Sequence, residues 1–291
     1  MTSSTAAGPL LHATLIVADL AVMQRAYASL GLVPRTAGTV SVAQAQAWGQ
    51  PQLQGRPMLG MAPGPQAATL LRLIEVPGAP PRPTRHSHGW LALEILVRDV
   101  DALAATLAPG HFDTVGAPAD LELSPAIRAM QLVGPAGEML YLTQVKAQVP
   151  PFALPLSGDM PPAQTVGPLF IAVLSTPSRE AVLRAIAPLS PLSTLCFDTK
   201  VTVLNRALGR ALDTRWPLAT AQFAGSCLFE MDEVLDARVL PASSPGTLPT
   251  GLAWVTMIAP LGDGRLREIS PGAWLETLAA GELPAPALGA R

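Results

Sequence analysis

Charge is scarce in this chain of 291 residues: Asp, Glu, Lys and Arg together make up 14% of it. Lysine is nearly missing, with Lys146 and Lys200 standing alone, so arginine carries most of the positive charge. The basic residues are scattered and the net charge is −2, which gives no electrostatic footprint for nucleic acid. Cysteine is limited to Cys196 and Cys227, too few for a disulfide framework or a thiolate zinc site. No apolar run is long enough to cross a bilayer without a charge or a proline interrupting it. The opening MTSSTAAGPLL lacks the basic start and long apolar stretch of a secretion signal. These absences set the expectation of a soluble cytoplasmic protein, monomer or homodimer, without nucleic-acid or membrane partners.

Turn-forming residues are plentiful, with 31 prolines and 24 glycines beside an apolar fraction of 49%. That composition excludes a disordered chain and suits many short strands better than long helices. The length allows two compact domains. Five prolines between residues 147 and 165 mark an extended linker. It divides the chain into a module over 8–146 and a second over 166–291.

The first module is internally duplicated. Residues 10–17 read as a strand, Asp19 caps an amphipathic helix over 19–30, and TLLRLIEV at 69–76 closes the unit. The second copy runs from the strand WLALEILV at 90–97, through a helix capped by Asp99, to EMLYLTQV at 138–145. Beyond the linker, PLFIAVLST begins a third unit with Ser175, Thr176 or Ser178 as cap, and CLFEMDEV closes it. GLAWVTMI at 251–258 opens a fourth, with too little chain left for a full copy. Repetition of this kind implies units that must pair to bury their sheet faces.

With Val17-x-Asp19, Val97-x-Asp99 and GPAGEMLYL before a last strand, the repeated βαβββ unit resembles the vicinal oxygen chelate superfamily. Glyoxalase I, extradiol dioxygenases, an epimerase and drug-resistance binding proteins belong to it. The resemblance implies an α+β fold in which βαβββ units pair into open, cup-shaped mixed sheets, arranged as two tandem modules. It places the first two units in one cup. It also implies metal ligands on the first and last strands of paired units. Those positions here hold His12, Arg72, Ala92 and Tyr141, one ligand-type residue of four. A guanidinium cannot serve as an ordinary ligand and opposes a nearby cation, so the expected cofactor is none, with a divalent metal as the runner-up.

Strand alternation gives a separate reading of the same segments. It sets His12, Thr14, Arg72, Trp90, Glu94, Met139 and Tyr141 on faces opposite the fully apolar ones. Such a lining makes a largely apolar small-molecule cavity with convergent polar groups. Glu94, His12, Arg72 and Tyr141 are the candidate catalytic groups, with Thr14, Trp90 and Met139 as substrate walls. Glu94 or His12 would move a proton while Arg72 and Tyr141 stabilise an oxyanion. The expected function is a metal-independent isomerase, epimerase or lyase acting on a small, partly apolar oxygenated substrate. One alternative is a metal-dependent lyase or dioxygenase using His12, Glu94 and His86 or His88. The other is a protein that sequesters an aromatic compound. The second module, including Glu230, reads as mainly structural.

Overall fold

The computed structural model describes residues 6–107, 109–238 and 248–281. Four units follow one another. The first contains β1 (Leu10–Val17), α1 (Leu20–Ser29), β2 (Val33–Thr39), α2 (Val42–Ala47), β3 (Pro57–Ala62) and β4 (Leu71–Glu75). The second contains β5 (Gly89–Val97), α3 (Val100–Thr106), β6 (Asp113–Leu121), β7 (Ser124–Val133) and β8 (Met139–Val145). The third contains β9 (Val166–Thr176), α4 (Arg179–Ile186), β10 (Ser193–Lys200), α5 (Thr202–Ala207), β11 (Arg215–Phe223) and β12 (Cys227–Glu233). The fourth is reduced to β13 (Gly251–Ile258), β14 (Leu266–Ser270) and β15 (Ala273–Leu278).

Each full unit turns from its first strand into a helix through a side-chain cap. Asp19 accepts from the Ala21 and Val22 amides at 2.7 and 3.0 Å, Asp99 from Ala102 at 2.9 Å, and Ser178 from Ala181 at 3.2 Å. Each cap contributes about 1 kcal/mol to its helix.

The pairing of units differs from the expectation that the first two share a cup. One sheet runs β14-β15-β13-β1-β4-β3-β2 and joins units one and four. The other runs β10-β11-β12-β9-β5-β8-β7-β6 and joins units two and three. Residues 8–146 are therefore split between two sheets and form no closed module. The cause lies in residues 146–165, which are no free linker. Ser157 accepts from the Val145 amide at 2.9 Å and donates to the Val97 carbonyl at 2.7 Å. The Arg98 amide donates to the Thr165 carbonyl at 3.0 Å. Leu154 and Met160 are buried in the apolar cluster of the eight-stranded sheet. This packed strap delivers β9 to the free edge of β5, where the two run antiparallel.

Both sheets are curled and open. Their backs meet in one shared core, where Leu15 and Leu73 of one sheet join Leu93 and Phe229 of the other, with Tyr27 and Ile186 from the helices. The opposite faces, carrying separate apolar clusters, form two cups that look away from each other. The first strands of both cups carry a bulge. Against β13, Leu10 pairs with Met257 and His12 with the adjacent Thr256, so Leu11 is extra. Against β9, Trp90 pairs with Leu174 and Ala92 with Val173, so Leu91 is extra. A bulge reverses the alternation before it. Trp90 accordingly turns into the shared core instead of lining a cup, donates to the Trp274 carbonyl at 2.7 Å and packs edge-on against Phe229.

A buried polar contact ties unit one to unit two. The Tyr27 hydroxyl donates to Glu138 at 2.8 Å, and the Ala136 amide donates to the other carboxyl oxygen at 2.9 Å. Burial pushes the Glu138 carboxyl up to about 7, against the opposing pull of Tyr27. Tyr27→Phe leaves a fully buried carboxyl short of a donor and is expected to lower stability by about 1–3 kcal/mol. Urea unfolding should show a lower midpoint at unchanged slope; an unchanged midpoint would mean the contact contributes nothing.

Candidate active site

The two cups place different chemistry at matching register positions. In the seven-stranded sheet, His12 stands opposite Thr256, Thr256 opposite Glu276, and Thr14 opposite Arg72. In the eight-stranded sheet, Ala92 stands opposite Val173, Val173 opposite Glu230, and Glu94 opposite Tyr141.

The first cup is filled and charge-compensated. Trp48, the C-cap of α2, sits among Ile16, Ile74 and Trp254. Its indole donates to Glu276 at 2.7 Å, and the Arg72 guanidinium stacks 4.6 Å from its ring centre. Arg72 also meets Glu276 at 2.6 Å and donates to Thr14 at 2.8 Å, while Thr256 donates to Glu276 at 2.6 Å. Burial alone would push Glu276 up, but Arg72, Thr256 and Trp48 outweigh it and hold the carboxyl below its usual range. His12 is buried, and its Nε2 has no partner among the described residues. Burial and the Arg72 charge push the imidazole down to about 3, so it is neutral.

The second cup holds a cavity of about 480 Å³. Its floor carries Glu94, Tyr141, Thr143, Thr220 and Glu230 within walls that include Phe152, Phe170 and Phe197. Glu94 is 7% exposed and accepts from the Thr143 hydroxyl at 2.8 Å. Burial, then the neighbouring Glu230, push its carboxyl up to about 8 against the weaker pull of Thr143. Burial likewise pushes Glu230, half-buried at the cavity wall, up to about 7. Tyr141 has no hydrogen-bond partner among the described residues, and burial raises its phenol well above the ordinary range. Asp232, two residues beyond Glu230, is fully buried with no hydrogen-bond partner among the described residues, and burial, then Glu230, push its carboxyl well above the usual range. None of the residues lining this floor is cationic.

Of the sequence-predicted site residues, Glu94 and Tyr141 share this cavity. His12, Thr14 and Arg72 lie in the other cup, because their strands belong to the other sheet. Met139 is buried beside Ala92 in the cluster under the cavity and does not line it. Glu230 escaped the sequence reading, which placed it in a structural module. Its signal was a carboxylate in the middle of the closing strand CLFEMDE, matched by Glu276 in AWLETL.

The residues do not fit the metal site that the resemblance implies. Ala92, Tyr141, Val173 and Glu230 occupy the relevant positions in one cup. In the other, Glu276 is already held by three donors. Among the described residues, no three His, Cys, Asp or Glu side chains form a metal-holding group. His86 and His88 add none: His86 contacts the Ala207 carbonyl at 3.0 Å, and neither lines the cavity.

No family model matches this sequence, and no curated protein matches it. Among solved structures, glyoxalase I from Zea mays aligns with a TM-score of 0.52 at 15% identity, over 88% of this chain and 75% of that one. A candidate dioxygenase from Bacillus subtilis aligns with a TM-score of 0.53 at 12% identity, over 88% and 71%. The chain therefore shares the vicinal oxygen chelate fold, and the likeness extends over both cups. No described helix is long and apolar enough to cross a membrane.

Two outcomes separate the cups. Arg72→Ala strands Glu276 in the filled cup and is expected to cost about 3–5 kcal/mol of stability, read as a lower urea midpoint. Ligand binding in the folded fraction should persist, and its loss would place Arg72 in the working site. Glu94 has a folded pKa of about 8 against an ordinary 4.5, so its protonated form stabilises the fold. That stability is complete below about 4.5 and is lost as pH rises through about 8. Glu94→Gln should lessen the loss by on the order of 1 kcal/mol or more at alkaline pH. Parallel pH–stability curves for variant and wild type would contradict it.

Proposed function

We propose that this chain is a metal-independent acid/base enzyme of the vicinal oxygen chelate superfamily, an isomerase, epimerase or lyase that moves a proton beside a carbonyl. The observation that carries the reading is the pair of carboxyl groups, Glu94 and Glu230, raised to about 8 and about 7 on the floor of an apolar cavity. Two carboxyl groups this close in a desolvated site do not both ionise near neutral pH. One can accept a proton as the other donates a hydrogen bond.

Glu230 is the base in this scheme and takes the proton from carbon. The developing enolate oxygen receives hydrogen bonds from the neutral Glu94 carboxyl and the free Tyr141 hydroxyl. Thr143 fixes one oxygen of Glu94 and so orients the other. The apolar walls exclude water, which strengthens each of these contacts. The fit of such a substrate is supported by the cavity's size and its three phenylalanines.

A second reading, sequestration of an aromatic compound without turnover, is favoured by those same phenylalanines. Deuterium exchange at the carbon next to a ketone, followed by NMR, tells the two apart. Catalysis requires one of the two carboxyl groups ionised and the other protonated, so the rate should pass through a maximum as pH rises. Tyr141→Phe should lower the rate about 10²–10³-fold, Glu230→Gln should abolish it, and chelator should leave it unchanged. Tight binding with no exchange at any pH would favour sequestration, and loss of activity to chelator would sink metal independence.

A further inference from the structure

The floor of the cavity is acidic, and its mouth is not. Four charged residues line the rim: Asp120 and Glu122 at the β6–β7 hairpin, Lys200 at the end of β10, and Arg206 on α5. Both rim carboxylates are already compensated. Asp120 meets Lys146 at 3.1 Å and Arg128 at 3.4 Å. Glu122 meets Arg215 at 3.1 Å and Lys200 at 3.3 Å. Lys200 is thereby occupied as well.

Arg206 is different. It forms no ion pair among the described residues, and its one side-chain bond is to the Val115 carbonyl at 3.2 Å. A guanidinium has five donors in a rigid fork suited to an oxyanion, so most of its capacity is free. The cavity is therefore polarised, with an uncommitted cation at the mouth and uncompensated acids at the floor.

We propose that the substrate carries a carboxylate at the end remote from its reacting carbon, and that Arg206 binds it and so sets the substrate's orientation. The assignment rests on the acid/base reading of the same cavity. A carboxylate at the floor would face Glu94 and Glu230 with no cation to receive it and would pay both repulsion and desolvation. At the mouth it meets Arg206 in partial contact with water. An uncharged carbonyl is then directed inward to Tyr141 and Glu94. An apolar body of aromatic size would lie against Phe152, Phe170 and Phe197.

The probes are 4-oxo-4-phenylbutanoate and its methyl ester, which share an enolisable aryl ketone and differ only in the remote charge. Calorimetric titration at low ionic strength should show the acid binding about five- to tenfold tighter than the ester, as for a charge-assisted contact partly screened by solvent. Added salt should shrink that ratio. Arg206→Gln should bring it to about one, while Lys200→Gln should retain most of it. Equal affinities in the wild type, a ratio unchanged in Arg206→Gln, or binding of neither probe would overturn the proposal. Should the variant fold poorly, the wild-type ratio and its salt dependence still decide. Deuterium exchange on both probes separates this inference from the catalytic one. Exchange without acid preference sinks the anchor alone, whereas acid preference without exchange sinks the acid/base reading alone.

Discussion

The candidate site depends on the antiparallel seam between β5 and β9. Glu94 lies on one side of that seam, and Glu230 lies one strand beyond its other side. The register therefore sets how two acids from different units meet. A slip of one residue would turn Glu94 into the shared core and bring an apolar neighbour into the cavity. The strap over 146–165 fastens this seam from outside the sheet. Ser157 joins the end of β5 to the end of β8, and the Arg98 backbone holds the residue just before β9. The strap also supplies Phe152 and Leu154 to the cavity wall. A single segment thus secures the pairing and shapes the site that the pairing creates.

The two cups show how little the fold alone says about chemistry. Glu276 and Glu230 occupy equivalent places in their sheets, yet their carboxyl groups are shifted in opposite directions. The difference lies in the neighbours. Arg72, Thr256 and Trp48 surround Glu276 with donors, whereas Glu230 faces Glu94 and Asp232. A compensated buried pair is inert packing, with its charge and hydrogen-bonding capacity already used. Uncompensated acids next to open space weaken the fold at neutral pH and gain through ligand binding or proton transfer. That contrast within one chain, more than the cavity's size, supports the eight-stranded cup as the working one.

Much of the local structure is legible in the sequence, because short-range chemistry fixes it. Asp19, Asp99 and Ser178 each mark a strand-to-helix turn through an oxygen that satisfies helix amides. The strands over 10–17, 90–97 and 251–258 follow from apolar runs between turn residues. The fold class was legible from the repeated units together with their resemblance to the vicinal oxygen chelate superfamily. What could not be read was which units pair, since any first strand in the set is apolar enough to join any other. That choice rests on the strap, whose prolines suggested a free linker although its apolar side chains are buried. The bulges at Leu11 and Leu91 were also hidden. They are visible only against a partner strand, and the one at Leu91 turns Trp90 into the core. His12 and Arg72 were assigned to the right kind of position in the wrong cup because the pairing of the units was hidden.

The filling of one cup and the opening of the other follow from small differences around two equally short helices. α2 ends in Trp48, whose indole reaches Glu276 and closes the space above Arg72. α5 ends in Leu208, which packs into the apolar cluster around the second cup and leaves the floor acids exposed to a cavity. Trp216, across from α5, instead donates to Asn205 within the helix at 2.6 Å and stays in the apolar cluster outside the cavity lining. The ion pairs around Glu122 and Asp120 close the rim only loosely, because each is exposed and screened by solvent. A largely apolar cavity under a weakly latched mouth lets a ligand enter while burial keeps both floor acids raised.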